Sequence, residues 1–118
     1  MKNLDIKNLG VDLTFDNTQL DKVFATPIKV YATVSESGNQ LIRTMFQLDS
    51  GDTVISNFSA NISRYSPIVK LIKACNNGII PDRIDDLEEL IVGKPILLDL
   101  KLSDDGEYLN PVKYYSVA

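Results

Sequence analysis

The chain has 118 residues, 44% hydrophobic and 24% charged, with a formal net charge of −4. That length can bury one core without disulfides or metals, and the apolar content is too high for a disordered segment. There is no histidine and a single cysteine, Cys75, which excludes histidine-activated nucleophiles, an intramolecular disulfide and a thiolate-held zinc site.

One domain over residues 1–118 is expected. The opening MKNLDIKNLG lacks the apolar core of a signal peptide, and no apolar run reaches the length of a membrane span. A cytoplasmic location without a membrane partner follows. Leu9, Val11, Leu13 and Phe15 alternate, so an extra strand over 9–15 is expected beside the main sheet. Phe15, Phe24 and Phe46 are assigned to the core.

Residues 27–35 alternate again. Ile28, Val30, Ala32 and Val34 fall on one side, expected to be core, and Lys29, Tyr31 and Thr33 on the other. The turn Glu36-Ser37-Gly38-Asn39 predicts an antiparallel return over 40–48, with Ile42, Phe46 and Leu48 inward and Leu41, Arg43, Met45 and Gln47 outward. A second turn at 49–52 leads into a third strand over 53–59, whose facing alternation leaves open.

A helix follows with both ends written into the sequence. Ser66-Pro67 supplies an N-cap and a first-turn proline, and Asn76-Asn77-Gly78 a stop. Between them Ile68, Leu71, Ile72 and Cys75 form one apolar stripe, which makes Cys75 a buried small hydrophobe. A short helix over 86–92 is predicted from the capping pattern of Asp85 or Asp86 with Glu88 or Glu89, ended by Gly93. That acidic cluster is assigned to helix-start electrostatics. A fourth strand has Ile96, Leu98, Leu100 and Leu102 inward and Leu97, Asp99 and Lys101 outward. After a turn at 104–107 the chain closes with a strand over 109–117, in which Pro111 marks an edge or a bulge.

Three meandering strands, a helix and two further strands make an all-β chain with one or two short helices, in the element order of a five-stranded OB-fold barrel. A small α+β sandwich is the alternative. No paired-acid geometry, glycine-rich phosphate loop or metal spacing is present, so neither an enzyme nor a cofactor is expected.

The helix SPIVKLIKAC, the run Leu87-Glu88-Glu89-Leu90, the segment ending Gly93-Lys94-Pro95, the turn Asp105-Gly106-Glu107 and the closing Val112-Lys113-Tyr114-Tyr115 carry a resemblance. Over about Ser66 to Tyr115 the chain resembles phage-encoded OB-fold single-stranded-DNA-binding proteins of the lactococcal-type early region. The resemblance implies a barrel that binds single-stranded DNA in phage replication or recombination, with replication or recombination proteins as further partners. It would act in the host cell cytoplasm, as a monomer or a homo-oligomer.

Affinity for nucleic acid comes largely from Lys and Arg displacing counterions, and an overall charge of −4 opposes it. The charge is unevenly distributed. Residues 22–81 carry a net +3, residues 1–21 a net −2 and residues 82–118 a net −5, and 53–81 contain no acid. OB-fold binding surfaces centre on the second and third strands, within the positive part. Single strands are held by a basic groove with aromatic side chains for stacking. The candidate set is Lys29 and Tyr31 on the first strand, Arg43 on the second, Phe58 with Arg64 and Tyr65 around the end of the third, and Lys113 on the last. Tyr115 is a further stacking candidate, and Phe58 fits core and stacking equally. The competing function is a protein-interaction module, such as a phage inhibitor or accessory subunit, using the acidic C-terminal third.

Overall fold

The structure is a computed structural model and describes residues 19–117. The strand expected at 9–15, with Phe15, lies outside the described residues. Five strands and two helices run in the order β1 (Gln19–Val34), β2 (Gln40–Leu48), β3 (Thr53–Ser59), α1 (Pro67–Cys75), α2 (Leu87–Ile91), β4 (Ile96–Leu102) and β5 (Leu109–Ser116). The described residues are thus mostly β, with one antiparallel five-stranded sheet and two short helices. The strand order is β3-β2-β1-β4-β5.

β1 organises the sheet because it is long enough to serve both halves. Its first part, from Gln19 to Ala25, pairs with β4, and its second, from Ala25 to Val34, pairs with β2. Each junction has an irregularity. Between Leu20 and Val23 the register slips, and Lys22 takes φ 52°, a left-handed conformation uncommon for a side chain of its size. Between Pro27 and Lys29 a second slip leaves Ile28 without a pairing partner. At that bulge the Gly93 N–H donates to the Pro27 carbonyl (2.8 Å), tying the end of α2 to the bend in β1.

These bulges correct the expected facing of β1. Ala25, Pro27 and Val30 are buried, whereas Ile28, Ala32 and Val34 are exposed. Ile28 is displaced by the extra residue, and the strand beyond Val30 runs past the core. Phe24, expected in the core, is 54% exposed. Its register partner is Leu97, while Val23 and Ala25 on either side pair with the buried Leu98 and Ile96.

β2 keeps the expected alternation. Ile42, Phe46 and Leu48 point inward, and the buried Thr44 joins them. In β3 the inward set is Val54 and Phe58, with Ser56 half-buried between them. Ile96, Leu98 and Leu100 of β4 are fully buried. Asp99 departs from its outward expectation, being 6% exposed. One Asp99 oxygen accepts the Lys22 backbone N–H (2.8 Å) and the other the Tyr115 hydroxyl. In β5 the register slips between the pairs Asp99–Lys113 and Leu100–Pro111, so the proline sits both on an outer strand of the order and beside a bulge.

α1 lies between β3 and β4 in the chain and buries Ile68, Leu71, Ile72 and Cys75, together with Val69 and Ala74. Ser66 holds the N-cap position in an extended conformation, but its hydroxyl accepts from Ser63 N–H (2.7 Å) instead of capping the helix. At the other end Asn77 is left-handed (φ 56°), and the Gly78 N–H reaches back to the Lys73 carbonyl (2.8 Å), closing the helix with a six-to-one bond. Burial pushes the Cys75 thiol up to about 12, which keeps it protonated and unreactive. Asp86 caps α2 by accepting from Glu88 and Glu89 N–H (3.0 and 3.4 Å), as the acidic cluster predicted.

β3 and β5 end the strand order, and the antiparallel pairings make them run in the same direction. They approach one another. Ser56 and Tyr114 share a hydroxyl hydrogen bond (2.7 Å), and the Tyr114 ring lies 6.1 Å from both Phe46 and Phe58. Burial raises the Tyr114 hydroxyl to about 12, against the opposing effect of the Ser56 bond.

Candidate nucleic-acid interface

Because Ile42, Thr44, Phe46 and Leu48 of β2 are buried, its odd positions face outward, and the pairing on both sides carries that face across three strands. Three rows result: Thr33, Leu41 and Ser59; Tyr31, Arg43 and Asn57; Lys29, Met45 and Ile55. Neighbouring strands lie about 4.8 Å apart, so each row is a set of adjacent side chains. None of the nine is acidic, two are cationic and one is aromatic.

Within this face the polar groups are ordered. Arg43 Nε donates to Asn57 Oδ1 (2.9 Å), which fixes the guanidinium between β2 and β3. The Lys29 ammonium lies 4.9 Å from the centroid of the Tyr31 ring. Two positions apart on one strand, they share a face, and the cation rests against the ring's π-cloud. Tyr31 is half-buried and Lys29 exposed.

The structure therefore brings together Lys29, Tyr31 and Arg43 and separates the other four candidates. Phe58 is in the core, 6% exposed, because alternation from Val54 turns it inward against Tyr114. Arg64 and Tyr65 are exposed in the connection between β3 and α1, Tyr65 at 89%. Arg64 lines a separate cleft of about 500 Å³ with Ile62, Val69, Ile80 and Arg83. Lys113 is exposed on β5, in register with Asp99. Tyr115 donates to Asp99 and has the Lys22 ammonium 5.5 Å from its ring, so its hydroxyl and ring already have partners.

Sequence reasoning did not single out Asn57, Met45, Ile55 or Tyr108. Met45 lies on the side of β2 expected to face outward, and Asn57 and Ile55 follow from the β2–β3 register, which alternation in β3 alone left open. Tyr108 is 63% exposed at the end of the β4–β5 turn. That turn is held by Asp105, which accepts from the Ser103 hydroxyl and the Glu107 N–H, and by the Ser103 N–H donating to the Tyr108 carbonyl (2.7 Å). Those two bonds hold the Asp105 carboxyl below its ordinary range, the Ser103 hydroxyl contributing most. Between this turn and β3 runs a groove of about 690 Å³ lined by Arg43, Ile55 and Asn57 on one side and Glu107, Tyr108 and Asn110 on the other.

The sequence matches no protein-family model, and no curated protein is significantly similar to it.

Among the described residues, no group of three or more cysteine, aspartate or glutamate side chains converges as a metal centre requires. No described helix is long and apolar enough to cross a membrane. The chemistry available to the outer face is attraction of anions at Lys29 and Arg43, and stacking at Tyr31.

Proposed function

We propose that the chain binds single-stranded DNA without marked sequence preference, on the outer face of β1, β2 and β3, and that it acts by binding rather than by catalysis. The observation that carries this reading is the acid-free field in which Lys29, Tyr31 and Arg43 are adjacent. A phosphate backbone needs fixed cations and unstacked bases need an aromatic ring, and this field offers both within three strands. Lys29 occupies one side of the Tyr31 ring, and a base stacks on the other.

The same reading takes the sheet as an OB-type barrel, closed between β3 and β5. Its support is the doubled pairing of β1, the position of α1 between β3 and β4, and the Ser56–Tyr114 contact between the two end strands. A role in phage DNA replication or recombination rests on the resemblance in the second half of the chain.

Fluorescence titration with poly-dT at two salt concentrations, beside a duplex of the same length, tests the function. Single strands should bind much more tightly than duplex, and affinity should fall as salt rises. Equal affinity for duplex, or indifference to salt, would rule the reading out.

A second reading is favoured by the exposed Asp82, Asp85, Asp86, Glu88 and Glu89 before and within α2, which suit a basic protein partner. Capture of one defined protein, with no strand binding at low salt, would select it.

A further inference from the structure

The groove between β3 and the β4–β5 turn overlaps the proposed binding face, because Arg43, Ile55 and Asn57 belong to both. The rest of its lining differs from that face in kind. Tyr108 offers a largely exposed ring, Asn57 and Asn110 offer amides, and two carboxylates, Asp52 and Glu107, take part in the lining. Among the described residues β3 pairs with β2 alone, so the backbone polar groups on its other edge face this side. One Asp52 oxygen accepts from the Ser50 hydroxyl (3.0 Å), which steadies the side chain.

Arg43, oriented by its bond to Asn57, still offers the backbone a cation, but beside Asp52 and Glu107 a phosphate would be repelled. A base would not be. Carboxylates accept hydrogen bonds from exocyclic amines, the pairing by which acidic side chains recognise cytosine N4. Thymine presents carbonyl oxygens at the equivalent edge and would meet them with like partial charge. An aromatic wall, amides and carboxylates together describe a site for a flat, polar-edged ring that bears an amine.

Resting on the single-strand reading of the adjacent face, we propose that this groove is a base pocket. One base of the bound strand stacks on Tyr108 and donates its exocyclic amine to Asp52 or Glu107, while the backbone stays outside on Arg43 and Lys29. The pocket gives an otherwise tolerant surface a preference for amino-bearing bases over thymine at one position.

Fluorescence anisotropy with labelled 15-mers of dC and dT, at pH 7.5 and constant salt, tests the proposal in the intact chain, in Tyr108→Ala and in the double variant Asp52→Asn/Glu107→Gln. The ratio of dC to dT affinity should fall by at least about fivefold in the double variant, the size of one lost amine contact. Tyr108→Ala should weaken both strands, and circular dichroism should show both variants folded. A dC to dT ratio unchanged by the double variant overturns the pocket, as does Tyr108→Ala with native affinity. Those outcomes leave the face intact if Lys29→Ala still weakens both strands. If neither strand binds the intact chain, the single-strand reading falls and the pocket with it.

Discussion

At the scale of single residues, Tyr31 and Phe46 separate binding from stability. Tyr31 stands outside the core beside Lys29, whereas Phe46 is fully buried against Tyr114. Tyr31→Ala should weaken single-strand binding by roughly 1–3 kcal/mol, the worth of one base-aromatic stack, with little change in thermal midpoint. Phe46→Ala should instead cost roughly 3–5 kcal/mol of stability, because a buried aromatic leaves a cavity. Titration and thermal unfolding of both variants check the contrast, and a Tyr31→Ala that unfolds the domain would place that ring in the core. Asp99 makes a different kind of contribution. The Tyr115 hydroxyl, then the Lys22 N–H and the nearby lysine charges, hold its carboxyl below the ordinary range, despite an opposing effect of burial. A depressed folded value means that the ionised form stabilises the fold. The contribution is complete above the unfolded value of about 3.9 and is lost as pH falls from there through the folded value. Asp99→Asn should lower the thermal midpoint at pH 7 and make the acid limb shallower. An acid limb parallel to that of the parent would assign the linkage to another group.

At the scale of elements, α2 is short enough that its cap decides whether it forms. Five residues make too few internal bonds to hold a helix, and Asp86 satisfies two of the otherwise unpaired N–H groups at its start. Asp86→Ala should cost about 0.5–2 kcal/mol in chemical denaturation. It should also loosen the Gly93–Pro27 bond at the bend of β1, seen as faster amide exchange at Gly93. The elements that sequence made legible are those specified locally. β2, β3, β4, β5 and α1 all lie within a residue or two of expectation, because alternation, turn glycines and the 67–75 stripe are written in neighbouring residues. The first half of β1 was not legible. Asp21-Lys22 interrupts its pattern, and its partner β4 is about 75 residues away. The facing of Ile28 failed for a related reason, since one inserted residue at a bulge reverses alternation. The site divides along the same line. Lys29, Tyr31 and Arg43 share a face that period-two alternation reveals, whereas Phe58 and Tyr108 needed the packing of β5 against β3 and the course of the β4–β5 turn.

At the scale of the whole molecule, the proposed function raises the problem of how a chain of net charge −4 would hold a polyanion. Distance and screening answer it together. The acids are concentrated at the start of α2 and in the β4–β5 turn, while the nine outward positions of β1, β2 and β3 carry none. At 0.15 M ionic strength charges further apart than about 8 Å are largely screened, so a strand bound on this face would respond to Lys29 and Arg43, and to the Asp52 and Glu107 carboxylates that share a groove with Arg43, and hardly to acids beyond that distance. At 0.01 M the screening length is about 30 Å, comparable to a small domain, and the full negative charge opposes approach. A plot of log affinity against log salt should therefore be linear and falling between about 0.1 and 0.4 M, and flatten below about 0.02 M. On a single strand each phosphate contact contributes a slope of about −0.7. Lys29→Ala should make the linear part shallower by about 0.7, and Arg43→Ala should do the same. Fluorescence titration of both variants at four salt concentrations measures the two slopes directly. An unchanged slope in Lys29→Ala with reduced affinity would mean that Lys29 acts only by bracing the Tyr31 ring, leaving Arg43 as the phosphate contact on this face.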